Sequence, residues 1–134
     1  MFRDAIVNTK KGKDTFKQMI EITGVRDETA FLEAWQRGVT IAGPRFFGDG
    51  SGAGRTKWDL APRVEDIEEF IGVLSSGEAT FLAAMVSFYN GRVGGELLTM
   101  LSGGYAVGLA DIAGGLDPVR RGVIADLLLS YAGW

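Results

Sequence analysis

A chain of 134 residues has the length of one ordinary domain, and its 46% hydrophobic and 23% charged residues fit a folded, water-exposed protein. With no cysteine and no histidine, disulfides, thiolate and imidazole metal sites, cysteine nucleophiles and the usual general base are excluded, which favours binding over catalysis. The net charge of −3 argues against a nucleic-acid binder, which carries a concentrated basic footprint.

Charge is uneven along the chain. Residues 1–17 hold five basic and two acidic groups, net +3, whereas residues 65–78 hold five acids and no base, net −5. Segments opposed in this way can attract a second copy of the chain or another partner; otherwise they are solvated helix faces. The opening MFRDAIVNTKKGK lacks the layout of a signal peptide. The longest uncharged apolar run, ATFLAAMVSFY, has 11 residues where a bilayer span needs about 20. The expectation is a cytoplasmic protein without a membrane partner.

Asp14 precedes TFKQMIEIT, whose Phe16, Met19, Ile20 and Ile22 fall near helical spacing before Gly24. Asp27 can cap a second helix, with Glu28 in the first turn, Phe31, Leu32 and Trp35 as its stripe, and Gly38 as its exit. The β-branched VTIAG at 39–43 reads as a short strand. No helical period runs from Gly43 to Pro62, and a structureless loop of that length is unusual in a compact domain. A small β-hairpin at 44–60 is therefore expected, with RFF and TKWDL as arms and the glycine run as its tip.

That glycine run, DGSGAGRT, comes close to a phosphate-binding loop. Asp49 stands where the first glycine belongs, Arg55 replaces the lysine, and Pro62 leaves no room for the helix whose N-terminus would meet the phosphates. The run also misses a dinucleotide fingerprint and lacks the alternating oxygens of a calcium loop. It reads as a turn.

In the second half, Ile67, Phe70, Ile71 and Leu74 share a face of a helix over 64–75, with acids in its first turns. After SSG, Phe81, Leu82, Met85, Val86 and Tyr89 make a wide apolar face, stopped by Asn90–Gly91. The other side of this helix is also poor in charge, so it should be central. ELLTML and YAVGLADIA read as two short helices between glycine pairs. Asp117–Pro118 then opens a last helix striped by Val119, Val123, Ile124, Leu127, Leu128 and Tyr131.

Candidate binding residues come from the hairpin and two helices. Arg45, Arg55, Lys57 and Arg63 flank Phe46, Phe47 and Trp58, and arginine beside aromatics can grip an anionic ligand, stack on bases or anchor a protein contact. The plainer alternative is that Phe46, Phe47 and Trp58 close one end of the core. With Tyr89 and Tyr105, the set for a ligand or partner is Arg45, Arg55, Lys57, Trp58, Tyr89 and Tyr105. No catalytic residue, metal ligand or cofactor is assigned. EDIEE reads as a solvated acidic face, because a hard cation wants more oxygen ligands. Asp111, alone in an apolar stretch, caps a turn or faces water, or else lies buried with a raised pKa.

The expected fold is a mainly α-helical single domain over 1–134, a bundle of about six helices with the small β-hairpin inserted near 44–60. The expected function is a small binding or regulatory protein acting through contacts, as a homodimer, because the weakly polar helices of 79–116 present surface that needs covering. One alternative is a helical domain for a small anionic or aromatic ligand. Another is an enzyme using carboxylates or a metal.

Overall fold

The computed structural model describes residues 28–134. Helix α1, over residues 28–42, turns Phe31, Ala34, Trp35, Gly38 and Val39 inward at the i, i+3, i+4, i+7, i+8 spacing of a core-facing stripe. The strand expected at 39–43 is absent: the helix runs through Gly38 to residue 42. Burial of Val39 outweighs the β preference of Val39–Ile41, and the Thr40 hydroxyl is satisfied by donating to the Gln36 carbonyl one turn back. The expected helix at 14–24 and the Asp27 cap lie outside the described residues.

The hairpin is also absent, and no strand occurs among the described residues. Two single 3-10 turns, Pro44–Phe46 and Trp58–Leu60, stand where the arms were expected. A lone bridge between Phe47 and Pro62 joins the ends of the segment. Phe46 and Phe47 are consecutive and both fully buried, which a strand with one wet face cannot achieve, since its side chains alternate. On the return side, the Asp59 carboxylate accepts from the amides of Arg55 and Thr56 at 3.0 and 3.1 Å, curling the chain instead of extending it.

The segment is nonetheless firmly held. The amide of Gly48 donates to the Ala61 carbonyl and that of Arg63 to Phe46, at 2.9 and 2.7 Å. From α1, Trp35 Nε1 donates to the Leu60 carbonyl at 2.9 Å and Gln36 Nε2 to that of Gly54 at 3.1 Å. Gly48 has φ +54°, and a Cβ there would lie 2.1 Å from the Asp59 carbonyl oxygen, so the turn demands glycine.

Helix α2 (Val64–Phe70) and the 3-10 turn Ile71–Val73 bury Ile67 and Ile71. Ser75 begins α3 (Ser76–Tyr89) with a reciprocal cap: its hydroxyl accepts from the Glu78 amide, and the Glu78 carboxylate accepts from the Ser75 amide. Seven residues of α3 are buried all around its circumference, making it the central helix. A single residue, Asn90, then turns the chain and caps α4 (Gly91–Leu101), which folds back along α3 in an extensive contact. That approach depends on Gly94, whose Cα faces the backbone of Ser87 directly. The glycine pair at 94–95, expected as a break, is thus inside a helix.

Gly103 and Gly104, at φ +79° and +103° with open space around them, lead to α5 (Leu109–Gly114). Asp111 is exposed and accepts from the Gly108 amide at 2.9 Å, capping that helix. Helix α6 (Pro118–Ser130) is capped by Asp117 and buries Val123, Ile124, Leu127 and Ser130. The two arginines of its first turn, unfavourable for the helix dipole, have local partners. Arg120 pairs with Asp117 and lies over the Phe81 ring, while Arg121 donates to the carbonyls of Ala113 and Leu116 at the end of α5. The buried apolar residues form one cluster from α1, the 43–63 segment, α2, α3, α4 and α6. No helix among the described residues is long and apolar enough to cross a membrane.

Candidate functional site

Three segments converge around residues 28–32 of α1. Helix α1 supplies Glu28, Thr29, Phe31 and Leu32; residues 55–58 supply Arg55, Thr56, Lys57 and Trp58; and the end of α6 and the chain beyond it bring Ser130, Ala132, Gly133 and Trp134. Together they line an open cleft of about 540 Å³.

Its wall is aromatic. Trp134 is the hub, with ring centroids of Trp35 at 4.8 Å, Tyr89 at 5.1 Å, Trp58 at 5.8 Å and Phe31 at 6.0 Å, most of them edge to face. Trp134 arrives there because Gly133 takes φ +101°, a conformation open to glycine, and turns the chain back toward α1. Trp58 stands at the rim with 60% of its surface exposed, an unusual exposure for a side chain of that size.

Lys57 crosses this wall. Its Nζ lies 5.7 Å from the Phe31 centroid and 5.5 Å from those of Trp58 and Trp134, and it donates to the Gly133 carbonyl. The ammonium is thereby fixed by three rings and one carbonyl. Arg55 is exposed beside it, and Glu28 is the one acid lining the cleft among the described residues. The Trp134 indole nitrogen is buried and has no hydrogen-bond acceptor among the described residues. Asp59 shapes the loop from behind: the amides of Arg55 and Thr56 hold its carboxyl below the ordinary aspartate value. Asp49 is likewise lowered, by the hydroxyl and amide of Ser51.

Of the six residues singled out from the sequence, Arg55, Lys57 and Trp58 line the cleft, and Tyr89 backs its wall through Trp134. Arg45 does not reach it: its guanidinium lies 4.5 and 5.2 Å from the rings of Phe46 and Phe70, on the outside of α2. Tyr105 is also elsewhere, exposed between α4 and α5, with its carbonyl accepting from the Ser102 hydroxyl. Phe31 and Trp134 were missed as site residues. Phe31 looked like any other core position of a helical stripe, and Trp134 followed a glycine that gave no sign of a return. Among the described residues no cluster of acids is placed to hold a metal ion. The chain matches no family model, and no curated protein or solved structure matches it.

Proposed function

We propose that the protein is a binding domain whose cleft takes a small anionic ligand with an aromatic body, such as an aryl carboxylate. The observation that carries this reading is the placement of two cations, Arg55 and Lys57, against the aromatic wall of Phe31, Trp58 and Trp134 in one cleft. The volume of about 540 Å³ falls in the range of small-molecule sites, which bury an apolar body and fix its orientation with a few polar groups. Lys57 is already ordered, so little rotamer freedom remains to be lost when an anion binds. Arg55 offers the planar fork that suits a carboxylate, and the exposed face of Trp58 offers a ring to stack on.

The test is a titration with indole-3-acetate and phenylacetate against their neutral amides, followed by calorimetry and tryptophan emission. The carboxylates are expected to bind and to perturb emission, and the amides to bind at least about tenfold more weakly. Arg55→Ala and Trp58→Ala should each weaken carboxylate binding by about 10- to 100-fold without unfolding the protein, since both side chains are exposed. Equal affinity for acid and amide, or no heat and no emission change with either carboxylate, would refute the reading.

A further inference from the structure

The cleft holds charge of both signs. Arg55 and Lys57 line it together with Glu28, the one acid there among the described residues. Glu28 lies one helical turn ahead of Phe31 and Leu32, so the three share a face of α1, and Lys57 Nζ stands 5.7 Å from the Phe31 ring. Yet these charges do not neutralise one another. The ion pairs among the described residues are Arg37–Asp126, Arg63–Asp66, Arg92–Glu96 and Arg120–Asp117; Glu28, Arg55 and Lys57 enter none of them. Asp59, the acid nearest to Arg55 in sequence, turns its carboxylate to the amides of Arg55 and Thr56.

We propose that the cleft selects an aryl zwitterion, an aromatic α-amino acid, and that Glu28 receives its ammonium group. The inference rests on the reading of the cleft as a site for an aryl carboxylate and narrows it. A plain aryl carboxylate meets Arg55 and Lys57, but it carries its negative charge into a cleft that already contains Glu28. It also strips water from Glu28 without offering a donor in return. An ammonium next to the carboxylate reverses both effects, because it gives Glu28 a charge-assisted hydrogen bond.

The cations have capacity for the other end of such a ligand. Lys57 gives one N–H to the Gly133 carbonyl and keeps the rest, and the Arg55 guanidinium is exposed. Thr29 and Thr56 add hydroxyls to the lining, and the Trp58 ring remains open for the aromatic body. A nucleotide or other polyanion fits poorly, since Glu28 repels each further negative charge. Because carboxylate, ammonium and ring are received by different residues, the site also fixes the hand of its ligand.

The experiment is calorimetric titration of the full chain with phenylalanine and with 3-phenylpropionate, which has the same ring and carboxylate and lacks the amine. Phenylalanine is expected to bind at least about tenfold more tightly, and its two enantiomers to differ. Glu28→Gln replaces an exposed carboxylate by its isostere, so the helical content should be retained. It should weaken phenylalanine by at least about tenfold and leave 3-phenylpropionate bound as tightly as before or more so, which abolishes the preference. Equal affinities for the two ligands in the wild type would overturn the zwitterion and leave the aryl-carboxylate reading in place. A preference that survives Glu28→Gln would overturn the assignment of the ammonium to Glu28. No heat with phenylalanine or with any aryl carboxylate would end both the inference and the reading beneath it.

Discussion

Gly94 and Gly95 are neighbours in the same helix, and the structure assigns their replacement by alanine opposite signs. A methyl group at Gly94 would stand 2.4 Å from both N and Cα of Ser87 and 2.6 Å from its Cβ. Carbon atoms settle at about 3.5–4.0 Å, so α3 and α4 would have to separate by about 1 Å along their principal contact. The atoms in the way are backbone, which has no rotamer to yield. Overpacking of this kind costs about 1–3 kcal/mol. Alanine in a helix interior recovers about 1 kcal/mol over glycine, leaving a net loss of up to about 2 kcal/mol. At Gly95 nothing lies within 4 Å, so only the propensity remains and Gly95→Ala should stabilise by about 0.5–1 kcal/mol. Urea unfolding monitored by helical circular dichroism measures both. Because the propensity gain is common to both, the two variants should differ by the overpacking cost of about 1–3 kcal/mol, equivalent to roughly 5–10 °C in midpoint at this chain length. If Gly94→Ala is as stable as Gly95→Ala, the close approach of α3 and α4 at Ser87 is wrong.

Three further outcomes follow from the 43–63 segment. Trp35→Phe removes the donor to the buried Leu60 carbonyl, and should cost about 1–3 kcal/mol and speed hydrogen exchange at the Gly48 and Arg63 amides. Unchanged exchange there would show that α1 does not anchor the segment. Gly48→Ala, set against both positive φ and the Asp59 carbonyl, should destabilise more than Gly50→Ala, which meets positive φ with room to spare; thermal melts that rank them the other way refute this. Asp59 has a carboxyl pKa below its unfolded value, so its stabilisation is complete above about pH 4 and is lost as pH falls through the lowered value. Asp59→Asn should therefore be less stable than the wild type at neutral pH and converge with it in strong acid. A gap that persists in acid would show that the charge is irrelevant.

The helices that were legible in the sequence are those whose caps and stripes agree. Ser75 with Glu78, Asn90, and Asp117 with Pro118 mark starts by chemistry that acts within one turn, and the stripes of α2, α3 and α6 repeat at the helical period. What misled was punctuation whose meaning depends on a distant neighbour. Gly38 and Gly94 look like stops, but each is small because another helix lies against it: Met85 at the first, Ser87 at the second. VTI looks like a strand until Val39 is needed by the core. The arms at 44–60 have the composition of a hairpin, yet two adjacent phenylalanines are both required inside, and Asp59 bends the return path. The cleft was partly legible because its cations and Trp58 are close in sequence. Its other wall was not, because Trp134 reaches it from 76 residues away from Trp58, and no local pattern encodes that meeting.

As text, the glycine run at 48–54 and the pair at 103–104 look interchangeable; in the folded molecule they are opposites. The first is stitched to α1 through Trp35 and Gln36 and closed at its base by the Phe47–Pro62 bridge, whereas the second turns in open space. A protease given the native protein should nick near Gly103 and pass over the longer run. An epitope or fluorophore spliced in at 103–104 should leave the molecule intact, while the same insertion at 50–52 would prise apart the floor on which the tryptophans stand.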